Sequence, residues 1–274
     1  FGTTNTDPAS YPWELYDLRN DPTQSENVAA KFPEKLKQMQ ELFWIEAKKY
    51  QVLPLDASVA TRLVQPRPNL TAGRSEFTWT QPMTGTPNGD APSILNTSYH
   101  FKAEIDVPEG GGDGMLITQG GRFGGYGLYL LKGKPVFTWN LVDLKRQKWI
   151  GDQVLTPGKH VVEFDFVYDG LGIATLAFNN ITGIGRSGTG RLLVDGKVVA
   201  TERMERTIPL ILQWDESLDV GSDTLTGVDD SDYKPPFRFN GKIRKITLNI
   251  DRPKLTPADI KALEGASREN RVSE

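Results

Sequence analysis

The sequence predicts a mainly β protein, an antiparallel β-sandwich that follows a helical lead-in. Three observations lead to this prediction. Glycine and proline are frequent, at 27 and 18 residues, and they separate short hydrophobic runs, as many tight turns require. Residues 99–107 alternate between apolar and polar side chains, which is typical of a strand with one buried face. The Asp195-Gly196 pair lies between two β-branched or leucine-rich runs and predicts a two-residue hairpin.

Composition excludes several classes of function. The net charge is −3, from 32 basic and 35 acidic residues, so no overall field favours nucleic acid or an anionic membrane. The sequence contains no run of about 18 apolar residues that would predict a membrane span. It has no cysteine and only two histidines, which argues against disulfides, cysteine metal sites and a histidine-based catalytic network.

The lead-in, residues 1–56, contains the clearest helix, predicted at 33–50. Pro33 suits the first helical turn, and apolar side chains then recur every three or four residues along one stripe. The stripe consists of Phe32, Leu36, Met39, Phe43, Ala47 and Tyr50. Leu42, Trp44 and Ile45 widen the apolar face, so we expect it to pack on the sandwich or on a domain outside this chain. A short strand is predicted at 13–18.

Three further segments follow the lead-in. Residues 57–95 contain five prolines and are predicted to be an extended linker, with one candidate strand at 76–79. Residues 96–251 form the predicted sandwich, which includes strands at 207–213 and 237–250 and a bulge near Gly241. Residues 252–274 are predicted to be a short helix that begins near Pro257, followed by a loose tail. Because the sequence starts at Phe1 without a methionine, we expect it to be trimmed from a longer chain.

The glycine-rich loop at 119–127 does not match a phosphate site. It lacks a G-x-G-x-x-G pattern and joins two strands, whereas phosphate cradling uses amides at the start of a helix. The glycines are therefore interpreted as positions that need positive φ angles and close sheet packing. Arg122 is the polar side chain of this loop that we expect to contact a ligand or a neighbouring domain.

Carboxylates are densest between residues 215 and 232. Asp215, Asp219 and Asp223 are the candidate metal ligands, since calcium prefers several carboxylate oxygens. The spacing of an EF-hand is absent, so the default interpretation is a solvated acidic loop without metal. No catalytic or cofactor-binding residue is predicted.

Aromatic side chains provide a second candidate site. Tyr126, Trp139 and Trp214 could form an exposed platform for a sugar, although aromatic residues in strands more often belong to the core. A glycan-cleaving enzyme would need two carboxylates facing a cleft. Glu163 and Asp165, on one face of a predicted strand, are the pair to consider, and a solvent-exposed face is their simpler interpretation.

Two parts of the chain resemble a known family. Residues 13–27, W-E-L-Y-D-L-R-N-D-P-T-Q-S-E-N, are similar to a W-E-L-Y-D-L-x-x-D-P-x-E-x-x-N passage near the C-terminus of sulfatases of the alkaline-phosphatase superfamily. Here Gln24 stands where the family often has glutamate. The segments Q-G-G-R-F-G-G-Y, F-V-Y-D-G, V-D-G-K and E-R-T-I-P resemble the C-terminal extension of bacterial arylsulfatases. The strand–Asp-Gly–strand hairpin also resembles lectin-like and laminin-G-like (concanavalin-like) sandwiches.

The resemblance implies a parent enzyme that hydrolyses sulfate esters, with formylglycine and calcium in a catalytic domain that this chain lacks. The chain has no cysteine, and Ser10-Tyr11-Pro12-Trp13-Glu14 has glutamate where the family's C/S-x-P-x-R motif has arginine. No family catalytic residue can therefore be placed here. The leading hypothesis is a non-catalytic C-terminal part that buttresses its own N-terminal catalytic domain. The alternative is a lectin-like module that binds carbohydrate.

Overall fold

The computed structural model describes residues 10–55, 70–71, 73–170, 187–207, 216–251 and 257. The chain divides into two compact units, residues 1–67 and residues 68–274. Within the described residues, no helix has both the length and the apolar character that crossing a membrane requires.

The first unit is built around one helix, α1 (Pro33–Lys49). Trp13 packs edge-on against Phe43 at 5.2 Å between ring centroids and lies 6.4 Å from Trp44. The predicted strand at 13–18 is wrong, because these residues pair with no strand among the described parts of the chain. Asp21 instead closes the following turn by accepting hydrogen bonds from the Glu26 backbone amide (2.8 Å) and the Ser25 hydroxyl (2.9 Å).

The second unit is an antiparallel sandwich of two six-stranded sheets, which confirms the predicted fold class. Its strands are β1 (Glu76–Trp79), β2 (Met83–Thr86), β3 (Ser98–Val107), β4 (Gly114–Gly121), β5 (Gly124–Leu131), β6 (Lys134–Leu141), β7 (Lys145–Ile150), β8 (Gly158–Tyr168), β9 (Gly188–Val194), β10 (Lys197–Met204), β11 (Leu218–Val220) and β12 (Lys242–Asp251). The first sheet has the order β1-β12-β3-β8-β9-β10, and the second has the order β2-β11-β4-β5-β6-β7.

The main core lies between the two sheets and is rich in aromatic side chains. Phe137 of the second sheet stacks on Phe164 of the first at 3.4 Å between ring centroids, and Trp149 meets Phe164 edge-on at 5.0 Å. The Trp149 indole N–H donates to the Gly190 carbonyl oxygen at 2.9 Å, so this buried donor is paired. Such aromatic pairs add directional attraction to the burial of apolar area.

Local sequence rules account for the hairpins. Asp195 and Gly196 have φ angles of 49° and 77°, as a type I′ turn between β9 and β10 requires. The glycine loop joins β4 to β5, and its glycines serve strand geometry. Gly125 has a φ angle of 143°, and a Cβ atom there would lie 2.2 Å from the Gln119 carbonyl oxygen. The interpretation of these glycines as a structural requirement is therefore confirmed.

Several predicted boundaries need correction. The supposed linker at 57–95 contains both β1, at the predicted residues, and β2, which was not predicted, so the sandwich begins well before residue 96. The strand predicted at 237–250 begins only at Lys242, and its register shifts between Ile243 and Lys245, close to the bulge predicted near Gly241. Most of the strand predicted at 207–213, and the helix predicted after 252 except Pro257, lie outside the described residues.

A long loop, residues 221–241, covers the outer face of the second sheet; we call it the outer strap. Val228, Tyr233 and Phe237 of the strap form a small second core with Met115 and Tyr129 of the sheet. Tyr233 stacks on Phe237 at 4.4 Å between ring centroids. Since this sheet is covered on both faces, its central strands are buried at nearly every position.

Candidate binding cleft

The described residues frame an open cleft at one edge of the sandwich. There β1 and β2, the edge strands of the two sheets, lie on either side of a space of about 450 Å³. The lining residues are Leu70, Thr71, Arg74, Phe77, Thr78, Trp79, Met83, Thr84, Gly85, Thr86, Pro87, Asp90, Pro92 and Leu218. A cleft of this size, mainly apolar with a few polar groups, has the character of a small-molecule site.

Aromatic rings line one side of the cleft. Phe77 and Trp79 alternate with exposed residues on β1 and stack at 6.4 Å between ring centroids, with 21° between their planes. Phe77 is buried in the main core, while Trp79 is partly exposed and packs against it. Across the cleft, Met83 of β2 is 37% exposed. The alternation on β1 therefore presents an indole ring to the open space.

Opposite charges lie beside these rings. The Arg74 guanidinium lies over the Phe77 ring, with its central carbon 4.6 Å from the ring centroid. Arg74 and Asp90 form no ion pair with any described residue. Two nitrogens of the Arg74 guanidinium donate long hydrogen bonds to the Leu70 and Glu76 carbonyl oxygens, at 3.5 and 3.4 Å. The remaining N–H groups of Arg74 and the Asp90 carboxylate can still meet a ligand in the cleft.

A buried carboxylate fixes the position of β2. Asp219 of β11 is 2% exposed. It accepts hydrogen bonds from the Gly85 backbone amide at 2.8 Å, from the Ser217 hydroxyl at 2.8 Å, and from the Thr224 hydroxyl. Because all three donors belong to the protein, Asp219 holds the cleft wall in place.

The predicted acidic loop is solvated only in part. Asp219, Asp223 and Asp229 are buried, with at most 4% exposure, whereas the Asp230 side chain is 51% exposed. Burial raises the pKa of Asp223 to about 7. The hydrogen bond from the Tyr233 hydroxyl opposes this rise, and the nearby carboxylates of Asp219 and Glu216 add to it.

Asp215, one of the three candidate metal ligands, lies outside the described residues. In the described ranges, no group of three or more metal-ligating side chains is arranged around a common point.

A charged network ties the outer strap to its sheet. Lys148 of β7 donates to Asp229 at 2.7 Å and to Asp232 at 2.6 Å, and Tyr129 donates to Asp232. Burial alone would lower the pKa of Lys148, but these two carboxylates outweigh it and the pKa is raised. The carboxylates are therefore occupied in holding the strap.

Arg122, the predicted contact residue, lies in a groove of about 500 Å³ beside the strap. Its side chain is 57% exposed, and its Nε atom is 3.8 Å from Asp230. Its backbone carbonyl accepts a hydrogen bond from Asn140 at 2.8 Å. The backbone is thus fixed while the guanidinium reaches solvent, and its contact with another domain stays a prediction.

The predicted aromatic platform does not form on the surface. Tyr126 is fully buried between Phe101 and Phe137, and Trp139 is 2% exposed. Both side chains point between the sheets, since strand alternation turns them toward the main core. Trp214 lies outside the described residues.

The carboxylate pair considered for glycan cleavage is already engaged. His100 lies between the two, with Nε2 3.0 Å from Glu163 and Nδ1 3.5 Å from Asp165. Asp165 also pairs with Arg191. These groups form a charged outer face on the first sheet, so the simpler interpretation of this pair fits the structure.

Sequence reasoning missed the residues of the cleft. Arg74, Trp79, Met83 and Asp90 all fall in the segment that its prolines marked as a linker. The available signal was the alternation of Phe77 and Trp79 with polar neighbours, which marked one strand. It could not show that this strand and β2 end up at matching edges of two sheets.

Comparisons with known proteins show only distant likenesses. No protein-family model matches the chain, and no curated protein matches its sequence significantly. Among solved structures, a Ruminococcus gnavus IT-sialidase CBM40 bound to α2,3 sialyllactose is 13% identical with a TM-score of 0.40, over 68% of this chain and 97% of that chain. Domains LG4-5 of the mouse laminin α1 chain are 12% identical with a TM-score of 0.38, over 73% of this chain and 47% of that chain.

A third solved structure, a leech intramolecular trans-sialidase, is 10% identical with a TM-score of 0.39, over 70% of this chain and 27% of that chain. At these scores, none of the likenesses carries an argument about what this chain binds.

Proposed function

We propose that the sandwich is a non-catalytic carbohydrate-binding module and that its site is the cleft between β1 and β2. One observation carries the proposal: the partly exposed Trp79 ring, backed by Phe77, faces an open cleft that also contains Arg74 and Asp90. A sugar ring offers an apolar face of C–H groups and a rim of hydroxyls. The Trp79 indole can stack on the apolar C–H face, and the Arg74 guanidinium and the Asp90 carboxylate can hydrogen-bond with the hydroxyls.

The arrangement favours binding over chemistry. The carboxylates singled out for catalysis are paired with His100 and Arg191, and Asp219 accepts three protein hydrogen bonds. Asp90 is the acidic side chain of the cleft lining, and glycoside hydrolysis ordinarily uses two. The cleft thus offers contacts for recognition without a paired acid and base.

A glycan array tests this proposal directly. The purified chain should bind a defined set of glycans, and the Trp79→Ala variant should lose that signal while keeping a cooperative thermal transition. Phe123→Ala is the matched control, because Phe123 is a well-exposed aromatic residue in the β4–β5 turn, away from the cleft lining. A folded chain that binds no glycan, or binding that Trp79→Ala leaves intact, would contradict the proposal.

The sulfatase resemblance supports a second candidate, a module that also buttresses the catalytic domain of an arylsulfatase. The favouring observation is the exposed apolar face of the first unit: Met39, Leu42 and Ile45 are 47%, 54% and 63% exposed. The purified chain should then hydrolyse no aryl sulfate, with or without added calcium. Measurable turnover that co-purifies with this chain would contradict the non-catalytic role.

A further inference from the structure

A second, smaller cavity lies at the other edge of the sandwich. Its volume is about 60 Å³. Its lining residues are Trp139, Leu141, Lys145, Gln147, Glu205 and Arg206. The nearby edge strands are β7 and β10, whereas the binding cleft lies beside β1 and β2 at the opposite end of both sheets. The two sites therefore share no residue and can be tested separately.

The lining includes a buried hydrogen-bond donor without an acceptor. Trp139 is almost fully buried, and its indole N–H has no partner among the described residues. The neighbouring core tryptophan, Trp149, does pair its N–H. Buried donors are nearly always paired in folded proteins, because leaving one unpaired forfeits the hydrogen bond that it made with water. The indole nitrogen is itself covered, so an acceptor in the cavity would satisfy this N–H by displacing the atoms that lie over it.

The mouth of the cavity carries one unbalanced positive charge. Lys145 is neutralised by Glu205 at 2.8 Å, and this contact also holds the pKa of Glu205 below its usual value. Gln147 donates to the Arg203 carbonyl oxygen at 2.7 Å. Arg206 is exposed and forms no ion pair with the described part of the chain, although its charge acts on Glu205 together with that of Lys145. Two positive charges therefore face one carboxylate, and the Arg206 guanidinium can hold a further anion.

We propose that this cavity binds a small oxyanion, a carboxylate or sulfate group, through the Trp139 N–H and the Arg206 guanidinium. The volume admits one such group but not a whole sugar ring, so the remainder of an acidic ligand stays in solvent. A neutral hydroxyl would satisfy the indole N–H but would leave the charge of Arg206 unused, which is why an anion is the better match.

Titration followed by ¹H–¹⁵N NMR of the tryptophan side chains tests the site. The Trp139 resonance is assigned as the indole signal that Trp139→Phe removes. Sodium acetate represents a carboxylate, sodium methyl sulfate represents a sulfate ester, and sodium chloride at the same ionic strength is the control. A saturable shift of this one signal with acetate, methyl sulfate or both supports the proposal and shows which source is accepted. No saturable shift, or an equal shift with chloride, overturns it.

Charge variants supply the second arm. Arg206→Gln should weaken oxyanion binding by about tenfold, since it removes a charge-assisted hydrogen bond. Arg238→Gln, which neutralises an exposed arginine of the outer strap, should leave the affinity unchanged. An unchanged affinity in Arg206→Gln would overturn the assignment. Trp79→Ala should not affect this titration, so failure of the oxyanion site and failure of the glycan cleft are distinguishable.

Discussion

Single buried carboxylates organise the region from residue 216 to 241. Asp219 accepts a hydrogen bond from the Gly85 backbone amide in the cleft wall. Asp223 accepts a hydrogen bond from the Tyr233 hydroxyl inside the outer strap. The two differ in the number of hydrogen bonds that compensate their burial. Asp219 accepts from three donors, while burial dominates at Asp223 and raises its pKa to about 7. Asp219 therefore secures the wall of the cleft, and Asp223 makes the outer strap sensitive to pH.

The raised pKa of Asp223 predicts a pH-dependent stability. An unfolded chain releases this proton near the ordinary value of 3.8, but the folded chain keeps it up to about pH 7. Between these values the folded state binds more protons, so the free energy of unfolding should fall as pH rises from about 4 to about 7. At about 1.4 kcal/mol per pKa unit, the loss from this group is at most about 4 kcal/mol.

Replacing Asp223 with asparagine checks this prediction, because the amide oxygen can still accept the Tyr233 hydrogen bond. Chemical denaturation at a series of pH values should give a flatter profile for Asp223→Asn than for the unmodified chain. Asp230→Asn, at an exposed position of the same strap, should leave the slope unchanged. Parallel profiles for the unmodified chain and Asp223→Asn would show that Asp223 does not titrate in this range.

Among the elements, α1 differs from the strands in how little of its apolar surface is covered. Ala47 is buried, while Leu42 and Ile45 are more than half exposed. Within its unit, the helix packs against Trp13 through the rings of Phe43 and Trp44. The spacing predicted the helix itself, which is found at Pro33–Lys49. It did not predict which side is covered, since Phe32, Met39 and Tyr50 of the predicted stripe are exposed.

This difference in burial gives a test on the helix itself. Ile45→Lys should change the free energy of unfolding by no more than about 0.5 kcal/mol, because the side chain already contacts solvent. Ala47→Asp, only two residues away, buries an unpaired charge and should cost several kcal/mol. Urea denaturation of the two variants provides the comparison. A large loss for Ile45→Lys would mean that the exposed face has a partner.

At the scale of the whole molecule, the sequence predicted the features that depend on residues close together in the chain. The Asp195-Gly196 hairpin, the alternation of β3 and the glycine contacts between β4 and β5 all depend on neighbours in sequence. The cleft depends on distant partners: β1 pairs Glu76 with Asn249, and β2 pairs Thr86 with Leu218. Proline-rich flanks hid this pairing. The burial of the aspartates was hidden as well, because it depends partly on distant donors, Gly85 for Asp219 and Lys148 for Asp229.

The molecule therefore combines a strongly packed aromatic core with one open edge. The edge formed by β7 and β10 contains the small oxyanion cavity. The opposite edge, formed by β1 and β2, contains the larger open cleft. Both sites rely on a tryptophan that strand alternation turns toward the space between the sheets. The proposed function requires that Trp79, unlike Trp139, stacks on its ligand.

The most direct test of that requirement is isothermal titration calorimetry with the glycan that gives the strongest array signal. The unmodified chain and Phe123→Ala should bind with equal affinity. Trp79→Phe should bind more weakly, and Trp79→Ala should lose at least about tenfold in affinity, as expected for a central aromatic contact. If Trp79→Ala remains folded and binds the glycan as tightly as the unmodified chain, the cleft between β1 and β2 is not the carbohydrate site.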